Sequence, residues 1–116
     1  APVPIDLGDL RKNTVYGGYD EDDQTVQIFW EVLAEFSNEE RRKLVKFVTS
    51  TPRPPLLGFK ELQPNFSLRN AGSDVNRLPT ASTCVNLLKL PAYTSHEQMR
   101  QKLRLSITAE AGFDLS

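Results

Sequence analysis

The chain has 116 residues, of which 39% are hydrophobic and 25% charged, so it is long enough for one domain with an ordinary core. Its 14 Lys and Arg against 15 Asp and Glu give a net charge of −1, which creates no long-range field favouring nucleic acid or an anionic membrane. One Cys and one His exclude an internal disulfide and the ordinary zinc sites, and we expect no metal and no cofactor.

We expect an intracellular monomer, located in the cytoplasm, the nucleus or both. The N-terminus lacks the basic region and the apolar core of a signal peptide. No apolar run approaches the roughly 18 residues that a membrane span requires. A single cysteine also suits a reducing compartment.

The N-terminal part of the chain carries no sustained hydrophobic period, and we interpret residues 1–15 as a flexible lead-in. Residues 16–19 follow, and the two glycines in this Tyr-Gly-Gly-Tyr stretch loosen the backbone. The acidic run at 20–23 repels itself into solvent. Taken alone, these residues predict a surface turn.

Two amphipathic helices are predicted next. Apolar residues recur at helical spacing over 25–36, which indicates a helix with an aromatic stripe in the core. A second helix over 38–49 begins with a capping box, because Ser37 can accept from the first turn and Glu40 lies three residues on. The residues predicted to face the core are Val26, Phe29, Trp30, Leu33, Phe36, Leu44, Val45, Phe47 and Val48.

A third helix is predicted over about 95–109. Thr94 and Glu97 have the spacing of a second capping box, and Gly112 is placed to end the helix. His96 falls in the first turn, where we predict a solvated polar residue and not a catalytic base. The residues predicted to face the core are Met99, Leu103 and Ile107.

The region between the second and third helices is predicted to hold short strands. Residues 66–68 are compatible with a strand, 70–74 form a polar turn, and the apolar run 85–90 has strand length. The proline-rich segment 52–55 ends the second helix. Because no helix separates most of these strands, we predict a mixed α/β domain with a short, mainly antiparallel sheet and about three main helices.

The most informative stretch is residues 77–93, RLPTASTCVNLLKLPAY, which contains the lone cysteine, Cys84. A Leu-Pro step near each end favours extended or turning backbone, so Cys84 is predicted where a loop enters a strand. Small neighbours leave its thiol approachable, and Ser82, Thr83 and Asn86 can hydrogen-bond a thiolate or an oxyanion. A lone cysteine is also commonly a buried, inert hydrophobe, and these residues leave both interpretations open.

This stretch resembles the active-site stretch of HECT-type ubiquitin ligases, Leu-Pro-x-Ala/Ser-x-Thr-Cys-x-Asn-x-Leu-x-Leu-Pro. The similarity covers nearly the whole chain in the same order. Its further segments are NTVYGGY at 13–19, IFWEVL at 28–33, ERRKLVKFVT at 40–49, RPPLLGF at 53–59 and GFDLS at 112–116. RPPLLGFKEL and TCVNLLKLP are most similar to the ubiquitin-protein ligase 3C subgroup.

The resemblance implies that residues 20–116 are the small C-terminal catalytic lobe of such a ligase. Residues 16–19 would be the hinge to a larger N-terminal lobe, of which residues 1–15 would be the end. The hinge residues are Tyr16, Gly17 and Gly18. In this family hinge rotation brings the catalytic cysteine towards the bound conjugating enzyme.

The resemblance also implies the reaction and its partners. Cys84 would accept ubiquitin from a conjugating enzyme as a thioester and pass it to a lysine of a substrate protein or of ubiquitin. The conjugating enzyme would dock on the N-terminal lobe, so we expect this chain alone to be poorly active. The ubiquitin tail is expected to lie extended beside the strand at 85–90.

Further site residues follow from the same motif. Thr83 is expected to hydrogen-bond the reacting carbonyl or to orient the loop. The residues expected to bind ubiquitin or support the loop are Leu78, Pro79, Ser82, Asn86 and Leu88. Many family members have His at the position of Ser82, so here the motif itself does not supply a nearby imidazole base. One large subgroup has Asp at the position of Lys89, so that subgroup's preference for an acceptor lysine is not carried over to this chain.

Phe113 is the fourth residue from the end, where the family commonly carries a Phe that is important for ligation. We expect Phe113 to dock on the N-terminal lobe during transfer to lysine. The alternative is that it packs on its own lobe as a core aromatic.

Two other classes of function remain open at this point. One is a noncatalytic protein-interaction domain in which Cys84 is merely buried. The other is an unrelated cysteine hydrolase, which the single, poorly placed His96 disfavours. Incubation with a ubiquitin-charged conjugating enzyme separates the three, because they give thioester transfer, no reaction and release of free ubiquitin respectively.

Overall fold

The computed structural model of the chain describes the backbone of residues 3–114 and the side chains of residues 3–109. Over this range it contains four helices, α1 Leu7–Lys12, α2 Gln24–Glu35, α3 Asn38–Thr49 and α4 His96–Asp114. The four strands are β1 Val15–Gly17, β2 Ser67–Asn70, β3 Thr80–Ser82 and β4 Leu87–Leu90. Two short 3₁₀ turns lie at Phe59–Glu61 and Thr83–Val85. The predicted mixed α/β class is confirmed.

Helices α2 and α3 form where the hydrophobic period predicted them, and the predicted bounds of α3 match. The capping box is present in both directions: the Glu40 amide donates to Ser37 Oγ at 3.1 Å, and the Ser37 amide donates to Glu40 Oε1 at 3.0 Å. These bonds satisfy two of the N–H groups that have no partner inside the helix. All nine side chains predicted to face the core from these two helices are buried.

Helix α4 differs from its prediction at both ends. Ser95, and not Thr94, caps it, because the Gln98 amide donates to Ser95 Oγ at 3.2 Å. The helix continues past Gly112 to Asp114, so the predicted glycine stop is wrong. A glycine inside a helix costs only about 1 kcal/mol relative to alanine, which helical neighbours on both sides can offset.

The sheet has the strand order β1-β2-β4-β3. β1 pairs with β2 and β2 pairs with β4 in parallel, whereas only β3 pairs with β4 antiparallel. The prediction of a mainly antiparallel sheet is therefore wrong. It failed for two reasons. β1 was interpreted as a turn, whereas α2 and α3 form the crossover between β1 and β2 that a parallel pair requires. β3 lies outside β4 and not between β2 and β4, so the chain crosses over again before β4 pairs with β2 in parallel.

The described part of the N-terminal segment is ordered, so its interpretation as a flexible lead-in is also wrong. Asp6 caps α1 by accepting from the Asp9 amide at 3.0 Å. Ile5 and Leu10 are only 2% and 1% exposed, and the Ile5 amide donates to Asn38 Oδ1 at 2.8 Å. Two buried apolar side chains hold the segment, and two are too few to give a visible period.

A single hydrophobic core lies where α2, α3 and α4 cover the sheet. Its largest fully buried side chains include Phe29, Phe59, Phe66, Tyr93 and Met99. Leu103 and Ile107 complete the predicted apolar face of α4. Among residues 3–114, no helix combines the length and the apolar character needed to cross a membrane.

Tyr19 ties the chain after β1 to the far end of the central strand β4. Its Oη donates to the carbonyl oxygen of Leu90 at 2.6 Å, and the side chain is 8% exposed. Burial, with a smaller contribution from the negative charge of Asp23, raises the pKa of Tyr19 to about 12. The hydroxyl therefore stays a donor well above neutral pH.

We expect Tyr19→Phe to lower the free energy of unfolding by about 0.5–1.5 kcal/mol at pH 8, because the buried hydrogen bond is lost. Since Tyr in the unfolded chain ionises near pH ~10, the wild type should lose the Tyr19 contribution as pH rises from there through the folded pKa. The difference between wild type and variant should thus shrink at pH 11. Urea unfolding at both pH values measures this difference in unfolding free energy. A difference that grows with pH would contradict the role of Tyr19 as a neutral donor to the Leu90 carbonyl.

Candidate active site

Cys84 lies in the turn that joins β3 to β4. The turn consists of the 3₁₀ segment Thr83–Val85 followed by Asn86, and it links two antiparallel strands. The cysteine is exposed, so the interpretation of a buried, inert thiol is wrong. Strand β4 begins at Leu87, two residues later than predicted, because the turn occupies the start of the predicted strand.

Asn86 fixes the end of this turn. Its backbone is left-handed, with φ 54° and ψ 43°, a conformation that Asn adopts more readily than most residues. The side chain is 6% exposed, and its Nδ2 donates to the carbonyl oxygen of Pro64 at 2.8 Å. The Asn86 carbonyl in turn accepts from the Ser67 amide at 3.0 Å. The turn is therefore anchored to the segment that leads into β2.

The remaining motif residues divide into exposed and buried positions. Thr83 is exposed beside Cys84, and Ser82 is half-buried at the end of β3. Leu78 is 41% exposed, whereas Pro79 is buried. Leu88 is 0% exposed, so it supports the loop from the core and presents no surface to a partner.

A groove of about 420 Å³ opens beside the turn. It lies between β3 with its preceding segment and the facing parts of α3 and α4. Its lining residues are Phe47, Leu78, Pro79, Thr80, Ala81, Thr83, Ser106 and Ala109. The groove brings the predicted residues Leu78, Pro79 and Thr83 together along one face next to the cysteine.

The one histidine is engaged elsewhere. His96 Nε2 lies 2.9 Å from Glu35 Oε2, which joins the start of α4 to the end of α2 at the surface. The prediction that His96 is a polar surface residue is confirmed. Within the described part of the chain, no three His, Cys, Asp or Glu side chains are grouped so that they could hold a metal ion.

The predicted hinge residues lie at the sheet edge. Tyr16 and Gly17 are in β1 and are paired with Leu68 and Arg69 of β2. Tyr16 Oη accepts from Trp30 Nε1 at 3.0 Å. Gly18 follows at φ 70°, where an added Cβ would lie 3.1 Å from the Cβ of Asn70. The hinge stays a prediction, and so does the role of Phe113, whose side chain lies outside the described residues.

The family model for the HECT domain (ubiquitin-transferase) matches residues 2–116.

This chain belongs to the HECT-domain ubiquitin-transferase family.

Individual HECT relatives agree with the family match. The chain is 60% identical to the E3 ubiquitin-protein ligase HUL5 of Saccharomyces cerevisiae over 112 residues. This alignment covers 97% of the chain and 12% of HUL5. The chain is 56% identical over 116 residues to the probable E3 ubiquitin protein ligase C167.07c of Schizosaccharomyces pombe, covering 99% and 11%. It is 44% identical over 138 aligned residues to the ubiquitin-protein ligase E3B of Mus musculus, covering 97% and 13%.

The chain thus spans only 11–13% of the length of these relatives. The predicted family is confirmed, whereas assignment to the ubiquitin-protein ligase 3C subgroup stays a prediction. The HECT match also agrees with the position of the motif, because the segment that carries the family resemblance forms the exposed turn at Cys84.

Two substitutions test whether Asn86 anchors the turn at Cys84. Asn86→Ala removes the donor to the Pro64 carbonyl and strains the left-handed backbone, so we expect it to cost about 2–3 kcal/mol of unfolding free energy. Asn86→Gly removes the same donor but adopts the backbone freely, and it should cost about 1 kcal/mol less. Urea unfolding of the 116-residue chain gives both values. Equal losses for the two variants would show that the left-handed conformation contributes nothing.

Proposed function

We propose that this chain is the catalytic lobe of a ubiquitin ligase that carries ubiquitin as a thioester on Cys84. The observation that carries the proposal is the exposed position of Cys84 in an anchored turn, within the motif that resembles the family's active-site stretch. A nucleophilic thiol needs access and a fixed position, and this turn supplies both.

The proposed reaction has two acyl transfers. The Cys84 thiolate attacks the carbonyl carbon of the thioester between ubiquitin and the conjugating enzyme, and the enzyme's thiolate leaves. A lysine amine of a substrate or of ubiquitin then attacks the new thioester, forms the isopeptide bond, loses its proton and releases the Cys84 thiolate. A thioester suits this relay because it still reacts with amines. We propose that the Thr83 hydroxyl, which is exposed beside Cys84, donates to the reacting carbonyl.

The geometry disfavours the two alternative functions. A noncatalytic interaction domain with a buried cysteine does not fit the exposed thiol of Cys84. A cysteine hydrolase would need an imidazole base, and the one histidine, His96, is paired with Glu35 at the surface.

We propose that ubiquitin approaches along β3. The expectation that its tail lies beside β4 is corrected, because β4 is flanked by β2 on one side and β3 on the other. β3 is the edge strand of the described sheet on this side, so an extended tail can add to it. Leu78 and Val85, 41% and 48% exposed, offer apolar contacts at the two ends of this edge.

The first proposed partner besides ubiquitin is the conjugating enzyme, which we propose docks on the N-terminal lobe. The second partner is a protein that provides the acceptor lysine. Without docking, the Cys84 thiol meets the thioester of ubiquitin and the conjugating enzyme only by random collision. The increase in rate that comes from holding the two groups close together is then lost.

Replacement of Cys84 tests the thioester directly. In the full-length ligase, Cys84→Ala should abolish the reductant-sensitive ubiquitin adduct, and Cys84→Ser should form an adduct that resists reductant, because an oxyester replaces the thioester. Ser73→Ala, at an exposed loop position, is the matched control and should load normally. Non-reducing electrophoresis after incubation with a charged conjugating enzyme measures the adduct. The 116-residue chain should load at least about tenfold more slowly than the full-length ligase. A reductant-sensitive ubiquitin adduct that persists in full-length Cys84→Ala would disprove the proposal.

Phe113 is proposed to dock on the N-terminal lobe during transfer to lysine. Phe113→Ala should then leave the Tm of the 116-residue chain nearly unchanged. In the full-length ligase it should permit loading of Cys84 but slow isopeptide formation. Phe29→Ala is the control, because Phe29 is 0% exposed and its loss should cost about 3–5 kcal/mol. A fall in Tm for Phe113→Ala comparable to that for Phe29→Ala, with normal ligation by the folded fraction, would show that Phe113 is a core residue instead.

A further inference from the structure

The segment 75–79 leads directly into β3 and so into the Cys84 turn. It has no helical or strand structure, and its backbone makes few bonds of its own, such as that from the Arg77 amide to the Asp74 carbonyl. Its position relative to the rest of the lobe must therefore come from other contacts. Backbone carbonyls are strong acceptors that need partners when they are withdrawn from water.

Three side chains of α4 donate to carbonyls of this segment, through one exposed, one half-buried and one buried hydrogen bond. Gln98 Nε2 donates to the Val75 carbonyl at 3.2 Å. Lys102 Nζ donates to the Asn76 carbonyl at 2.9 Å. Ser106 Oγ donates to the Pro79 carbonyl at 3.0 Å, and Ser106 is 5% exposed. The three donors are spaced four residues apart, so they form one row along the helix.

A fourth donor is Tyr93, which lies two residues before Ser95, the N-cap of α4. Tyr93 Oη donates to the Arg77 carbonyl, and Tyr93 is 0% exposed. Burial raises the pKa of Tyr93, so its hydroxyl remains a donor at all ordinary pH values. The Tyr93 carbonyl accepts from Thr25 Oγ1 at 2.8 Å, which ties this donor to α2.

Helix α4 is itself firmly placed. Each donor directly precedes a buried core residue, and these core residues are Met99, Leu103 and Ile107. Arg104 Nε also donates to Glu40 Oε2 of α3 at 2.8 Å. The row of donors is thus fixed to the core, and four carbonyls of the segment 75–79 are fixed to the row and to Tyr93.

We propose that Gln98, Lys102 and Ser106 are positioning residues for ubiquitin transfer, because they hold the segment 75–79 against α4 and thereby place β3 and the Cys84 turn. The inference rests on the proposed function for its effect on transfer. None of the three touches the thiol in this arrangement; they act through the backbone. A displacement of about 1 Å at a reacting group can cost on the order of a hundredfold in rate, so loss of these bonds should slow transfer well before it unfolds the lobe.

The test removes donors while keeping side-chain length. The double variant Gln98→Met/Lys102→Met keeps the aliphatic stems but cannot donate to Val75 or Asn76. Lys102→Arg keeps a donor and is the conservative variant. Lys43→Met is the matched control, because it also replaces a lysine by methionine. Lys43 pairs with Glu39 on the exposed side of α3, and this contact does not involve the segment 75–79.

The first readout is amide hydrogen exchange in the 116-residue chain, which does not depend on activity. We expect exchange at residues 80–86 to rise about tenfold in the double variant, with α2 and α3 unchanged. The second readout is transfer in the full-length ligase. Thioester formation on Cys84 should slow by about tenfold or more in the double variant, remain near normal in Lys102→Arg, and be normal in Lys43→Met. Alkylation of Cys84 by iodoacetamide, which needs access but no alignment, should be unchanged.

The outcomes separate this inference from the proposed function. Absence of a thioester on wild-type Cys84 would overturn the proposed function and the role in transfer together. A wild-type thioester with unchanged exchange and unchanged transfer in the double variant would overturn the positioning role alone. Loss of transfer that follows a fall in Tm, with alkylation altered in parallel and transfer equally slowed in Lys102→Arg, would show a general structural role and overturn the positioning role as well.

Discussion

The left-handed backbone of Asn86, held by the bond from its side chain to the Pro64 carbonyl, is the constraint on which the turn at Cys84 depends. At this residue the chain reverses from an exposed turn into the central strand. Immediately after it, Leu87 and Leu88 are buried in the core, and two residues before it Cys84 is exposed. Asn86 therefore marks the point where the chain passes from the exposed turn into the buried strand.

The turn is held at two independent points. On one side Asn86 joins it to the segment before β2, and on the other the α4 side chains join the segment before β3 to the helical layer. A short turn with both ends fixed loses little conformational entropy when a partner binds, because most of that entropy has been lost on folding. The exposed thiol of Cys84 thus lies in a turn that is both accessible and anchored, which suits the thioester relay proposed for it.

Much of the helical structure could be predicted from the sequence, because it depends on local signals. The capping box at Ser37 and Glu40 and the regular spacing of apolar residues are both readable within one helix. The strand directions could not be predicted, because they depend on contacts between distant segments. β1 has only three residues, too few for a readable hydrophobic pattern, and no local signal shows that β4 pairs in parallel with β2 while β3 lies on its other side. Helix α1 was missed for the same reason: its order comes from burial of Ile5 and Leu10 against distant parts of the chain.

The candidate site shows the same division. The motif pointed to Cys84 and to its neighbours, including Asn86, whose contacts the structure then revealed. Gln98, Lys102 and Ser106 carry no signal, because a polar residue on a helix looks the same whether it faces water or a backbone carbonyl. Only the path of the segment 75–79 distinguishes the two cases, and that path is a property of the complete fold.

The strand order β1-β2-β4-β3 also has a consequence for the order in which the parts of the sheet form during folding. β2 lies between β1 and β4, and about fifty residues separate Val15 from its partner Ser67. β3 and β4 are separated by only a few residues, and their antiparallel pairing encloses the turn at Cys84. The turn therefore belongs to the most local pairing of the sheet, whereas β1, which carries the predicted hinge residues Tyr16 and Gly17, belongs to the least local one. Because local contacts close with the smallest loss of chain entropy, we expect the turn to become ordered before β1 joins the sheet.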